Sequence, residues 1–345
     1  MNYIGVDLHK QTITVCVVNQ QRQVLRTTRL QCRQTDGISG WFSAQQPFAI
    51  VVEATASYEW FLRLIEPFAS RIVLAHPGKL RIIAESTRKS DKLDARVLAE
   101  FLAMDIIPAA YRPTPRQREH RRLVRHRQYL RGRLSSVKVR MRRILADSNA
   151  DLPELFTRGG RQTCQALPLP PIDRFALDQL WAEYDLYRAQ MTAALQAIHS
   201  FAESAPPAEA AARRLLPTIP GVGAITTEIF LCELADVRRF SSQKKVVAYA
   251  GLAPGQRESA GHRRELGITH QGSGMLRWVL NQAAWQLVRR DSRWRGIFEA
   301  IAKRRGRRKA IVAISRRLLC MMVAVAQRQQ RYRSDHTEQA VGHAA

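Results

Sequence analysis

Tyr3-Ile4-Gly5-Val6-Asp7, Ile13-Thr14-Val15-Cys16-Val17-Val18 and Phe48-Ala49-Ile50-Val51-Val52-Glu53 decide the fold of this 345-residue chain. The first two runs and Val24 to Leu30 are short, β-rich and separated by polar turns such as Asn19-Gln20-Gln21-Arg22, which predicts an antiparallel meander. Asp36 stands where it can cap a helix through Trp41 and Phe42, and Phe48 to Val52 is a continuous apolar strand. A helix over Tyr58 to Phe68 leads to a further strand, Arg71-Ile72-Val73-Leu74-Ala75, which Pro77 closes. Apolar strands that alternate with helices belong to a sheet covered on both faces.

Two acids interrupt this pattern. Asp7 follows one apolar strand and Glu53 ends another, in a chain with 29 acidic against 55 basic residues. An unpaired carboxylate there carries a desolvation cost or takes up a proton, unless a cation is present. Asp91 and Asp94, in Lys89-Ser90-Asp91-Lys92-Leu93-Asp94-Ala95, are three apart at a helix start and share one face. Alone they read as a capped helix start that pairs with Lys89, Lys92 or Arg96. Joined by Asp7 and Glu53, they form a set of hard oxygen ligands suited to two Mg2+ ions, with Mn2+ able to take their place. Two such ions activate the attacking oxygen and stabilise the leaving oxygen of a phosphodiester. The order of elements, three strands and then helix and strand in turn, is that of a ribonuclease H-like α/β domain.

The net charge of +26 calls for a polyanionic partner that releases counterions, and nucleic acid is the first candidate. Charge alone is equally compatible with a binder that has no chemistry. Cys16, Cys32, Cys164, Cys232 and Cys320 have no C-x-x-C spacing and read as reduced residues. With the first apolar strand following Met1 directly, no export signal is expected. The late apolar stretch Ala310 to Ala326 has Arg316 and Arg317 at its centre, so a membrane span is not expected. These features predict a soluble, cytoplasmic, nucleoid-associated protein.

Between Arg112 and Asp147 stand thirteen Lys or Arg residues and, before Asp147, the single acid Glu119. Leu123, Leu130, Leu134, Val137, Met141 and Ile144 make a coiled-coil-like stripe with arginines on the other faces. With few acids to form intrahelical pairs, Arg125, Arg133 and Arg140 are expected to track phosphates, whereas the plainer reading is a solvated helical arm. A Pro- and Gly-rich loop, Leu152 to Pro171, separates it from a second long helix with Leu177, Leu180, Tyr184, Met191, Leu195 and Ile198, expected to run antiparallel to the first. The turn Pro220-Gly221-Val222-Gly223 opens a helix and suits a phosphate or a simple join. Helices then alternate with a Gly- and Arg-rich loop from Gly251 to Gly274, and a basic run spans Lys303 to Lys309. The expected domains are a catalytic domain over 1–110, a helical coiled-coil arm over 111–210, a mainly α domain over 211–330 and a disordered tail over 331–345.

Gly5-Val6-Asp7-Leu8-His9-Lys10, Val52-Glu53-Ala54-Thr55-Ala56-Ser57-Tyr58 and Lys89 to Ala95 resemble the three acidic motifs of the DEDD transposases of the insertion sequence 110 family, which include the Piv-type invertases. The likeness continues through Ile219 to Gly223, Phe240-Ser241-Ser242, Ala248-Tyr249-Ala250-Gly251-Leu252-Ala253-Pro254 and Gly274-Met275-Leu276-Arg277, which resemble that family's C-terminal transposase domain. The resemblance implies a RuvC-like catalytic domain and an enzyme that cuts and rejoins DNA at short targets. It also implies a structured guide RNA (a bridge RNA), and a homodimer or homotetramer in which the acids of one protomer meet the serine of another.

On the family pattern that serine is Ser259, in Gly255-Gln256-Arg257-Glu258-Ser259-Ala260-Gly261, although Ala260 stands where the family commonly has glycine. Read from the residues, Ser259 lies in a polar loop near Arg257, Arg263 and Arg264, whose guanidinium groups can stabilise a pentavalent phosphate. Ser273, between Gly272 and Gly274, is a rival. Two other functions stay open: a RuvC-like junction resolvase or nuclease that hydrolyses without rejoining, and a non-catalytic nucleic-acid-binding protein.

Overall fold

The computed structural model describes residues 1–54, 57–83, 91–259 and 262–333, with the backbone alone at 81–83, 91–94, 256–259 and 262–265. The chain divides into two compact units, Met1–Arg112 and Pro113–Ala345.

The N-terminal unit is built on five strands: β1 (Asn2–Leu8), β2 (Thr12–Val18), β3 (Val24–Gln31), β4 (Phe48–Glu53) and β5 (Arg71–Ala75). Their order in the sheet is β3-β2-β1-β4-β5. The first three pair antiparallel, and β4 lies parallel to both β1 and β5. This mixed sheet follows from the meander and the two crossover helices. The helices are α1 (Thr35–Ser43), α2 (Tyr58–Ile65), α3 (Pro77–Ile83) and α4 (Asp91–Ala103). Asp36 lies in the first turn of α1, and Gln34 occupies the N-cap without a side-chain hydrogen bond, so Asp36 serves the helix dipole instead of capping it.

Alternation along the strands assigns each residue to a face. Ile4, Val6, Phe48, Ile50 and Val52 pack with Phe42 of α1 and Phe61, Leu62 and Ile65 of α2. Ala49, Val51, Val73 and Ala75 face the other way and pack with Leu98 and Leu102 of α4. Gly5 belongs to this second face. A Cβ there would stand 2.0 Å from the Ala95 carbonyl oxygen and 2.4 Å from the Ala99 nitrogen, so only glycine lets α4 lie directly on β1.

In the C-terminal unit, Thr114 and Gln117 form a capping box at the start of α5 (Pro115–Asp147). The stretch read as a Pro- and Gly-rich loop contains α6 (Arg158–Ala166), capped by the Thr157 hydroxyl. α7 (Pro171–Glu203) runs antiparallel to α5: His120 stacks on Phe201, and Val137, Met141 and Leu145 pack on Leu177, Leu180 and Trp181. The buried positions of α5 are His120, Val124, Leu130, Val137, Met141 and Leu145. They differ from the predicted stripe because Val124 and its neighbours also pack on the C-terminal helices, which turns the buried face away from a single seam.

Those helices are α8 (Pro207–Leu215), α9 (Ala224–Leu234), α10 (Gln243–Tyr249), α11 (Gly274–Arg290), α12 (Ser292–Arg305) and α13 (Arg307–Arg328). α13 is long and apolar enough to cross a membrane by length and composition, but Ile314, Leu318, Leu319 and Met322 are fully buried in this unit's core. Gly221, at φ +86°, lies against α11, where a Cβ would be 2.8 Å from the Ala283 carbonyl oxygen. Close packing of helices thus accounts for this glycine. The stretch read as a Gly- and Arg-rich loop holds a hairpin, β6 (Pro254–Ser259) and β7 (His262–Ile268). The predicted tail falls mostly on residues 334–345, outside the described residues.

Candidate active site

Asp7 and Glu53 follow the paired residues Val6 and Val52 at the C-terminal ends of the adjacent parallel strands β1 and β4. Both are odd-numbered, so both belong to the face that α4 covers. The crevice beyond the carboxyl ends of parallel strands is where ligands bind in open α/β sheets. Asp7 is partly exposed, and its Oδ2 lies 2.9 Å from His9 Nε2. Glu53 makes no ion pair among the described residues. His9 was not singled out in the sequence, although its position two residues beyond Asp7 on a turn was a usable signal.

α4 brings the remaining two acids to the same end of the sheet. It packs antiparallel to β1: Ala99 and Ala103 lie by Tyr3 and Val18, and Ala95 lies over Gly5. Continued towards its N-terminus, the helix carries the backbone of Asp94 and then, about one turn from Ala95, that of Asp91 towards the Asp7 end of β1. The backbones of the three acidic elements thus lie towards one end of the sheet, the side chains of Asp91 and Asp94 being outside the described residues, and carboxylate oxygens are the donor type that suits Mg2+.

Ser259 ends β6, paired in register with His262, while Arg257 pairs with Arg264 and Glu258 with Arg263. The serine thus stands at a hairpin tip, with its side chain and those of the three arginines outside the described residues. Ser273 is the N-cap of α11, and its hydroxyl accepts a hydrogen bond from Leu276 N at 3.2 Å. That hydroxyl already has a structural role.

The arm arginines have three different surroundings. Arg125 donates to both Glu233 carboxylate oxygens, at 3.1 and 3.3 Å. Arg133 donates to the Tyr187 hydroxyl and lies over its ring. Arg140 is exposed and makes no ion pair among the described residues. The sequence reading overlooked partners on other helices. The largest such cluster joins α5, α8 and α9: Glu228 receives His120 at 2.6 Å and Arg213 at 2.7 Å, and Glu209 binds Arg213 and Arg116. Burial pushes the Glu228 carboxyl up, but the His120 and Arg213 hydrogen bonds outweigh it and hold the pKa below the usual carboxylate value. Glu209 is lowered in the same way by Arg116 and Arg213 against its burial.

A five-stranded mixed sheet of order β3-β2-β1-β4-β5, with acids at the C-terminal ends of β1 and β4, has the arrangement of a ribonuclease H-like domain. Comparison with known proteins agrees. Residues 4–149 match the IS110-type DEDD family described as "Transposase", and residues 213–299 match the "Transposase IS116/IS110/IS902 family". The transposase for insertion sequence element IS1111A of Coxiella burnetii is 23% identical, over 96% of this chain and 91% of its own. The transposase for IS1328 of Yersinia enterocolitica is 25% identical over 81% and 82%. The pilin gene-inverting protein of Moraxella lacunata is 24% identical over 94% and 95%. This chain belongs to the IS110 family of transposases, and is accordingly an enzyme that cleaves and rejoins DNA.

Proposed function

We propose that this transposase cuts and rejoins DNA with Asp7, Glu53, Asp91 and Asp94 as a Mg2+ site and Ser259 as nucleophile, working as a homodimer or homotetramer guided by a structured RNA. The observation that supports the reading is that the C-terminal ends of β1 and β4 and the start of α4 lie towards one end of the sheet, with at least one acid on each. When bound there, Mg2+ supplies Lewis acidity for phosphodiester cleavage. The four carboxylates would hold it, with His9, 2.9 Å from Asp7 Oδ2, orienting Asp7 from the side.

Ser259 attacks the phosphorus and gives its proton to water, the bond to the leaving deoxyribose oxygen breaks, and that oxygen takes up a proton from water. A deoxyribose hydroxyl of the new partner strand then displaces the serine. A protein–DNA ester keeps the energy of the broken bond, so rejoining needs no external source. Arg257, Arg263 and Arg264, on the same hairpin as Ser259, supply positive charge for the pentavalent phosphate. Ser259 is preferred to Ser273 because the Ser273 hydroxyl is engaged as a helix cap. We also assign α5 and α7 to a coiled-coil arm that contacts phosphates through Arg125, Arg133 and Arg140, and the protein to the nucleoid in the cytoplasm.

A strand-transfer reaction with labelled DNA, run on a denaturing gel, tests this. Wild type gives a covalent adduct and recombined product, whereas Ser259→Ala binds nucleic acid but gives neither. An adduct that persists in Ser259→Ala and maps to Ser273 overturns the assignment, and hydrolysed ends alone from the wild type would support a resolvase.

A further inference from the structure

A cleft of about 1050 Å³ lies in the C-terminal unit between α10, α12, α13 and the segment that follows α13. Six arginines line it: Arg293, Arg316, Arg317, Arg328, Arg331 and Arg333. No carboxylate does so among the described residues. In the buried cluster at the root of α5, by contrast, every arginine meets an acid. Arg316, Arg317, Arg328, Arg331 and Arg333 make no ion pair among the described residues. The cleft is also strongly apolar, with Trp294, Ile297, Met321 and Tyr332 on its walls. Trp294 Nε1 donates to the Tyr332 hydroxyl at 3.3 Å, and Tyr332 N donates to the Thr218 hydroxyl at 3.1 Å. The tyrosine ring is thereby held at both ends as a fixed wall.

We infer that this cleft holds unstacked nucleotides of a single-stranded nucleic acid, their phosphates on the arginines and a base against Tyr332. A cleft of about 1050 Å³ has room for a nucleotide or more. A basic groove with an aromatic wall is the recurring design for single strands, because every base offers a π-face while the charge follows the backbone. A purely ionic groove would need no fixed aromatic ring, and a purely apolar one would not gather six cations. The inference does not depend on the metal site or on Ser259, and binding without Mg2+ tests it separately from catalysis.

The experiment uses the full-length protein in Mg2+-free buffer with two short single-stranded probes, RNA carrying 4-thiouridine and DNA carrying 4-thiothymidine. After irradiation, cross-linked peptides are mapped. The expected cross-links fall within residues 293–333 for one or both probes, and the more reactive probe identifies the source. Tyr332→Leu should lower that cross-link about tenfold. Arg316→Gln combined with Arg328→Gln should reduce the slope of log affinity against log salt by about 1.4, two phosphates at about 0.7 each. Thermal melts confirm that the variants fold. Cross-links that map elsewhere and are unchanged in both variants overturn the inference. So does equal displacement of the probe by duplex DNA, or a cleft cross-link that appears only after removal of the residues beyond Arg333, which would make the chain's own acidic tail the occupant.

Discussion

Glu228, in the C-terminal unit, is 8% exposed and lies between His120 and Arg213, whereas Glu53, at the end of β4 in the N-terminal unit, makes no ion pair among the described residues. Both acids interrupt apolar runs, Ile229-Phe230-Leu231-Cys232 following one and Phe48 to Val52 preceding the other. An acid in an apolar run thus marks two different devices. A carboxylate enclosed by cations holds helices together, and one at a strand end without an ion pair among the described residues is the kind that we propose for a metal. What separates them is the partner, and partners come from distant parts of the chain.

The largest expected effect separates the two devices by activity. Asp7→Asn and Glu53→Gln should each lower strand cleavage about a thousandfold or more, while thermal melts in metal-free buffer stay level or rise as repulsion is relieved. A fall of many degrees with activity retained would move these acids into the structural class.

Glu228→Gln should do the reverse. Removing one member of a buried charge pair costs about 3 kcal/mol or more, so the melt should fall by several degrees. The same network sets an acid limit. Glu228 and Glu209 titrate below their unfolded values, so the unfolded chain binds more protons in mild acid. Their stabilisation is whole above about pH 4.3, the unfolded value, and is lost as pH falls through the lowered folded values. Melts of wild type between pH 7 and pH 3 should show this loss, and Glu228→Gln should flatten it. An equally steep loss in the variant would place the acid sensitivity elsewhere.

Smaller effects are expected on the arm. Arg140→Ala removes an unpaired surface charge and should reduce the salt slope of duplex binding by about 0.9 without changing the melt. Arg125→Ala also strands Glu233, which is 3% exposed, and should lower the melt as well. Equal melts for the two variants would erase the distinction between a paired and a free arm arginine.

The succession of β1 to β5 along the chain and the antiparallel pairing of the first three were legible because apolar alternation and the turns between runs are local signals, whereas the parallel pairing of β4 with β1 and β5 was not. Asp7 and Glu53 were legible as breaks in that alternation. The β6–β7 hairpin was not, since Gln256-Arg257-Glu258-Ser259 and His262-Arg263-Arg264-Glu265 alternate polar with polar and present no apolar face. The partners of Arg116 and His120 were hidden for another reason. Glu209 lies 93 residues from Arg116 and Glu228 lies 108 from His120, so neither pair leaves a trace in local spacing. The arm therefore read as rich in unpaired charge, although several of its cations are closed by the C-terminal helices. The arginine cleft depends on the same kind of distant convergence.

Calorimetric titration of Mn2+ into wild type, Glu53→Gln and Glu228→Gln tests the central contrast most directly. Wild type and Glu228→Gln should bind the ion alike, at a temperature where both are folded, and Glu53→Gln should lose most of the binding heat. Undiminished binding by Glu53→Gln would contradict the account, and the strand-end acids would then have no claim to the metal.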